Sequence, residues 1–295
     1  MSEVRKVLLQ LDTDLQCSTF DSIVATDAGA DTLLRHSGVN EDNVVGLVHG
    51  AMFTRSPRKL SSTAIFVGGS NVQAAEKLYH KVLETFFGPV RVSVMMDANG
   101  CNTTSAAAVF LGLQRFQAQP ALASAEKKAL VLGATGAVGQ RVVELLYQQG
   151  WLVNCHSRTQ KKAQDLIGNL KQRIPQANGQ LQPATDQDAD LLNLASSCPL
   201  VIAAGAAGVC FLDQQQAETF YQSPGVAVDL NAVPPAGIAG IRPNADQTLD
   251  RRQVLGALTV GNLKMQLHRR GLQSCFQSND KALALSEIYQ LTEAV

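Results

Sequence analysis

Residues 128–139 constrain this chain more than any other stretch. Lys128-Ala-Leu-Val-Leu132 reads as a buried strand, Gly133-Ala-Thr-Gly136-Ala-Val-Gly139 as a turn, and 137–149 as the helix that follows. Glycines so placed allow a tight turn, close approach of the backbone to a pyrophosphate, and close packing of helix on strand, while the helix N-terminus favours negative charge. The spacing is G-x-x-G-x-x-G rather than G-x-G-x-x-G, and a glycine trio alone also serves a plain strand-to-helix turn. The order strand, turn, helix and second strand tips the reading toward a dinucleotide, with Gly133, Thr135, Gly136, Ala137, Val138 and Gly139 as candidate contacts.

The surrounding pattern agrees with that setting. Apolar runs at 152–156, 181–184, 200–204 and 226–230 read as further strands, with helices near 159–173, 187–197 and 213–222. Five strands joined by short crossovers are the layout of a Rossmann-type domain, and a sixth strand is expected at 253–257. Upstream, strands at 4–11, 63–67 and 90–96 each precede a helical stretch. The clearest helix spans 71–87: Ser70 is placed to cap it, Ala74, Leu78, Val82 and Phe86 recur every fourth residue, and Gly88-Pro89 ends it. Another helix is expected to begin after Asn102, with Thr103 or Thr104 near its first turn, and to run to about Gln117. The segment 117–127, with Pro120, reads as a boundary, and 263–270 and 280–293 read as helices. The expected class is therefore α/β with two domains: an N-terminal domain over 1–122, a Rossmann-type domain over 123–262, and a helical segment over 263–295 returning to the first.

The second strand of the Rossmann pattern bears on the cofactor. Chains that bind NAD usually carry Asp or Glu there, whereas this one has His156-Ser-Arg158-Thr-Gln-Lys161-Lys162. Ser157, Arg158 and Lys162 suit a 2′-phosphate and point to NADP. The alternative is a solvated helix start, although cations are mildly unfavourable at a helix N-terminus without an anion. Two later loops belong to the same domain. Ala203-Ala-Gly205-Ala-Ala-Gly208 supplies small residues where a cofactor crosses the sheet, making Ala204 and Gly205 candidates; a helix-packing loop would look the same. Asp229-Leu-Asn231 ends the fifth strand, where the nicotinamide is expected, and the prolines after it explain a simple turn equally well.

Substrate candidates lie elsewhere. Met95-Met96-Asp97-Ala-Asn99-Gly100-Cys101-Asn102-Thr103-Thr104 joins a strand end, a turn and a helix start rich in donors and acceptors, so Asp97, Asn99, Asn102 and Thr103 are candidates. Helix capping and an Asn-Gly turn are the structural alternative. Asp14, also just past a strand, could face the same ligand, with capping or solvation as its alternative.

Composition closes off other classes. The 25 basic and 25 acidic residues cancel, so no global field exists for nucleic acid, and 17% charged against 45% hydrophobic residues argues against disorder. No apolar run approaches the roughly 20 residues of a membrane span, and the N-terminus lacks the pattern of a signal peptide. The six cysteines are scattered, with no Cys-x-x-Cys and no zinc spacing. A cytoplasmic protein with no metal site, no nucleic-acid partner and no membrane partner is expected. Tyr-x-x-x-Lys is absent: four residues beyond Tyr79, Tyr147, Tyr221 and Tyr289 stand Leu83, Trp151, Gly225 and Glu293. G-x-S-x-G, H-E-x-x-H and P-loop motifs are absent too.

Gly261-Asn-Leu-Lys264-Met-Gln-Leu-His268-Arg269, with Thr63-Ala-Ile-Phe-Val-Gly-Gly69, Phe86-Phe-Gly-Pro89, Asp97-Ala-Asn-Gly100, Asn102-Thr-Thr104, Gly237-Ile-Ala-Gly240-Ile and Glu287-Ile-Tyr289, resembles the bacterial NADP-dependent methylene-tetrahydromethanopterin dehydrogenases nearly end to end. The resemblance implies an oxidoreductase of one-carbon metabolism, passing a hydride from the methylene group of a tetrahydromethanopterin, or of a tetrahydrofolate, to NADP. The carbon that loses hydride lies between two nitrogens whose lone pairs stabilise the resulting cation, so no side chain has to remove a proton. The missing acid/base motifs fit that chemistry. The resemblance further implies Lys264 as the catalytic residue, in a pterin-positioning role, with an exposed helical lysine as the alternative. It places Gly261 in the cofactor set, leaves His268 and Arg269 structural or interfacial, and suggests a homo-oligomer, a trimer being the suggested form. Thr259, Asn262 and Cys101 depart from the family pattern, which bears on pterin preference. Two rivals are an NADP oxidoreductase of the shikimate-dehydrogenase type, which needs a Lys and Asp pair, and a non-catalytic NADPH-sensing regulator.

Overall fold

A computed structural model describes residues 4–122, 124–185 and 191–294. Part of the expected helix at 187–197, the boundary residue 123 and the first three residues lie outside the described residues. Two compact units divide the chain, Met1–Thr103 with Met265–Val295, and Thr104–Lys264. The segment 117–127 falls inside the second of these.

The first unit holds a parallel sheet in the order β12-β4-β3-β1-β2. Its strands are β1 (Val7–Asp12), β2 (Thr32–His36), β3 (Thr63–Gly68), β4 (Ser93–Met96) and β12 (Ala282–Leu283), with helices α1 (Thr19–Asp27), α2 (Val44–Phe53), α3 (Val72–Thr85) and α10 (Leu285–Gln290). Every residue of β3 and β4 is buried, which explains their near-continuous apolar sequence. Leu11, Val48, Met52, Ile65, Leu78 and Val94 form the centre of the core.

Several sequence expectations are corrected here. The cap of α3 is Asn71, whose side chain accepts from the Ala74 N–H at 3.1 Å, because Ser70 is committed to Asp14. None of α1, β2 and α2 is foreseen by periodicity: β2 is a partly exposed edge strand, and Gly46 and Gly50 weaken the helical signal of α2. Residues 280–293 are not one helix, since Ala282 and Leu283 take up a parallel ladder with Val94 and Met95 before α10 begins.

The second unit holds the order β10-β11-β9-β8-β5-β6-β7. Its strands are β5 (Lys128–Leu132), β6 (Leu152–Ser157), β7 (Gln180–Thr185), β8 (Leu200–Ala203), β9 (Gly225–Asp229), β10 (Asp246–Leu249) and β11 (Arg252–Leu255). The connecting helices are α5 (Ala137–Gln148), α6 (Gln160–Arg173), α7 (Leu191–Ser197) and α8 (Gln214–Tyr221). Strands β7-β6-β5-β8-β9 are parallel and run 3-2-1-4-5 in chain order, the Rossmann topology. The sixth strand, β11, stops before Gly256, where a side chain would meet the Arg242 carbonyl oxygen at 2.1 Å, and β10 adds an antiparallel edge.

Helices α4 (Cys101–Gln117) and α9 (Ala257–Cys275) run through the two divisions of the chain. Within the second unit, Gly112 of α4 lets the helix lie close to Leu200 and Val228, and Phe116 meets Trp151 edge-on at 5.0 Å. Helix α9 runs well beyond the expected 263–270.

Candidate active site

In the second unit the site is made of backbone. The chain reverses after β5 at Gly133, with φ +74°, a conformation favouring glycine. A side chain there would stand 2.9 Å from the Gly205 Cα, and one at Gly139 would strike the Gly133 carbonyl oxygen at 2.3 Å. The turns after β5 and β8 therefore touch without side chains between them. Ala134 N–H donates to the His156 carbonyl at 2.9 Å and Ala204 N–H to that of Leu132 at 2.8 Å. Gly136 caps α5 without any side-chain bond, so the first N–H groups of the helix are left for a ligand and its positive dipole end favours an anion. The cradle these close backbone contacts build, with unbonded helix N–H groups at its floor, fits a pyrophosphate.

The adjoining strand end fits a 2′-phosphate. Ser157 is buried at the end of β6, with its Oγ 3.3 Å from Thr135 Oγ1. Arg158, Lys161 and Lys162 are exposed at the start of α6, whose cap Thr159 makes no side-chain bond and whose first turn carries no acid. Gly133, Thr135, Gly136, Ala137, Val138, Gly139, Ser157, Arg158, Lys162, Ala204 and Gly205 thus gather at the carboxyl ends of the adjacent strands β6, β5 and β8. Asn231 lies at the next strand end, but its side chain is used locally: Nδ2 donates to the Pro235 carbonyl at 2.7 Å and Oδ1 accepts from Val233 N–H. Beside it Asp229 is buried, and burial pushes its carboxyl up while the N–H groups of Asn231, Ile238 and Gly237 pull it back. Gly261, early in α9, has open space where a Cβ would go.

In the first unit the site is made of side chains. Asp97, fully buried past β4, accepts through Oδ1 from the N–H groups of Asn102 at 2.9 Å and Thr103 at 3.0 Å, and through Oδ2 from Thr103 Oγ1 at 2.6 Å. Asn102 in turn donates to the Met96 carbonyl at 2.7 Å. Asp97, Asn102 and Thr103 are thus together, and these bonds tie the start of α4 to the strand end. Asn99 forms the exposed turn before them, at φ +50°. Asp14 accepts from Ser70 N–H and Oγ, both at 2.9 Å.

Sequence reasoning missed the rest of this cluster. Gln10 accepts from Ser22 Oγ at 2.7 Å and Asp12 from Ser18 N–H at 3.0 Å, and Ser18 caps α1, so the start of α1 is fixed over β1. That places Asp21 toward the end of β3: a side chain at Gly68 would have Asp12 Oδ2 and Asp21 Oδ2 both at 3.6 Å. His268 of α9 is fully buried, with Nδ1 3.7 Å from Asp97 Oδ2 and Nε2 3.9 Å from Asp21 Oδ1. Its ring stacks on Phe66 at 5.4 Å and meets Phe20 at 6.3 Å. Half-exposed Phe20 offers a flat apolar face beside these polar groups. Lys264, half-buried, is the last residue of the second unit and precedes His268 by one turn of the continuous helix α9. The usable signal was the i, i+4 spacing of Lys264 and His268, which puts both on one helix face.

A parallel 3-2-1-4-5 sheet with an uncapped glycine turn at its centre defines a dinucleotide-binding protein of the two-domain α/β dehydrogenase class. Comparison with known proteins narrows this further. The model of the methylene-tetrahydromethanopterin dehydrogenase N-terminal family matches residues 19–99. The chain is 37% identical over 291 residues to the bifunctional protein MdtA of Methylorubrum extorquens strain AM1, covering 98% of each. It is 30% identical over 313 residues to the NAD(P)-dependent methylenetetrahydromethanopterin dehydrogenase of the same organism, covering 97% of each. It belongs to this family. Among solved structures, the shikimate 5-dehydrogenase of Mycobacterium fortuitum shares the fold at 15% identity and a TM-score of 0.51, over 99% of this chain and 98% of that one.

Proposed function

We propose that the protein transfers a hydride from the methylene group of methylene-tetrahydromethanopterin, and of methylene-tetrahydrofolate as a second substrate, to NADP, leaving the methenyl form. The observation that carries this is the glycine cradle beside a carboxylate-free cationic strand end, within a chain of this family. When bound, the nicotinamide supplies the hydride acceptor. The chain's own residues bind and orient. Gly133, Gly136, Gly139 and Gly205 leave room for the pyrophosphate, and Thr135, Ala137, Val138 and Ala204 line the same turns. Ser157, Arg158 and Lys162 hold the 2′-phosphate, while Asn231 and Gly261 complete the cofactor contacts.

The second unit is on this reading the NADP domain and the first the pterin domain, with Asp97, Asn99, Asn102, Thr103 and Asp14 in the substrate set. Lys264 positions the pterin, since a cation cannot by direct charge stabilise another developing cation. With cofactor and pterin held by these residues, the two nitrogens beside the methylene carbon would take up the positive charge left by the departing hydride, so no side chain of the protein has to act as a base. Two coarser findings surround this reading: the family is that of a pterin enzyme, and no described helix is long and apolar enough to cross a membrane. A cytoplasmic location and a homo-oligomer, in the form of a trimer, complete the proposal; light scattering that returns the monomer mass would remove the latter.

The assay is direct. Purified protein given either methylene pterin and NADP should produce NADPH absorbance; none with both pterins overturns the assignment. Binding of NADPH without pterin binding would instead indicate a sensor.

A further inference from the structure

We infer that His268 is a positioning residue for this reaction: held between the carboxylates of Asp21 and Asp97, it locks the rotation of α9 and so fixes the helix face that presents Lys264 one turn earlier. The inference rests on the role proposed above for Lys264.

The geometry comes from four elements. Asp97 cannot swing away from the ring, because its oxygens already hold the Asn102 and Thr103 N–H groups and the Thr103 hydroxyl. Asp21 is held by the Ser18 cap at the start of α1, which Gln10 and Asp12 anchor from β1. Phe66, from β3, lies nearly parallel to the imidazole, at 21°, and sets the plane of the ring. Each ring nitrogen therefore faces a carboxylate at ion-pair distance, 3.7 Å on one side and 3.9 Å on the other, with no solvent exposure of the ring. The buried Asp97 carboxylate and the half-buried Asp21 carboxylate make a polar ring with a nitrogen toward each side the group that fits between them.

Such a wedge acts on α9 as a whole. A helix is stiff over one turn, and residues four apart share a face, so locking His268 against β4, β3 and α1 also locks the direction in which Lys264 leaves the helix. Small misplacements of an orienting group cost rate more than ground-state affinity. The sequence spacing alone did not reveal this, because neither carboxylate is near residue 268 in the chain.

The test replaces the ring by an uncharged side chain of similar reach. His268→Gln should lower kcat with methylene pterin by about tenfold or more, with the dissociation constant for NADP, measured by calorimetry, within about twofold of the parent. Asp21→Asn should act in the same direction, and the double variant should lose far less than the product of the single losses. Wild-type kcat in His268→Gln, or multiplicative losses in the double variant, would overturn the inference, and if His268→Gln does not fold, Asp21→Asn decides alone. A second readout does not depend on turnover. With lysines reductively methylated by a ¹³C label and the Lys264 signal assigned through Lys264→Arg, its linewidth should narrow in His268→Gln or Asp21→Asn as the helix face is released; an unchanged linewidth contradicts the inference. Absence of pterin turnover in the parent, with a narrowed line in the variants, would sink the proposed substrate while leaving the coupling of His268 to Lys264 standing.

Discussion

On the proposed reading the two units solve the same problem, holding a ligand at the carboxyl ends of parallel strands, with opposite materials. In the second unit the contact surface is backbone at Gly133, Gly136, Gly139 and Gly205, and its geometry is local, set within the turns that follow β5 and β8. In the first unit the substrate candidates rest on a lattice of mostly buried side chains, Asp12, Asp21, Asp97, Thr103 and His268, drawn from β1, α1, the end of β4, α4 and α9. The first kind tolerates no added atom at Gly133, Gly139 or Gly205; the second tolerates no lost charge. That difference separates how each region should fail.

The largest effect belongs to the backbone site. Gly139→Val places atoms where the Gly133 carbonyl oxygen already stands 2.3 Å from a Cβ, so backbone must shift. We expect NADP binding to be lost in calorimetry, together with about 1–3 kcal/mol or more of stability in denaturant unfolding. Asp97→Ala comes next. It strands two N–H groups, a hydroxyl and the imidazole, and should cost about 3 kcal/mol in unfolding while leaving the NADP affinity of the folded protein within about twofold. Equal loss of NADP affinity would dissolve the division between the two regions.

The same contrast explains what the sequence made legible. The glycine turn could be read because glycine spacing between a strand and a helix is a local pattern, and the proposal of NADP draws on the missing acid and the cations at 156–162. The strands of the second unit other than the antiparallel edge β10, which was not foreseen, were read to within one or two residues for the same reason. The His268 cluster could not be read. Its members are separated by up to 256 residues, counting from Asp12 to His268, and each alone resembles a cap or a core histidine. Around Asp97 both sequence readings meet: the residues adjoin a strand end that could serve a ligand, yet their hydrogen bonds also do the work of a helix cap. The β2 and α2 region was lost through glycine interruptions and an exposed edge, where periodicity carries little signal.

Smaller effects refine the comparison. Arg158→Ala should weaken NADP by about 10- to 100-fold and NAD hardly at all, since only the 2′-phosphate uses the guanidinium; matched losses, seen in parallel titrations, would remove the cofactor assignment. Asp14→Ala gives up only the two bonds to Ser70 in an exposed setting and should cost about 1 kcal/mol by thermal unfolding, with no change in NADP binding. A much larger cost would mean that the acid holds more than that turn.

The most direct test of the whole account follows the hydride. With the methylene carbon of the pterin dideuterated and NADP as acceptor, the account predicts NADPH carrying one deuterium at C4, formed in step with the methenyl product and read by mass spectrometry. Unlabelled NADPH, or methenyl formation without reduction of NADP, would contradict it.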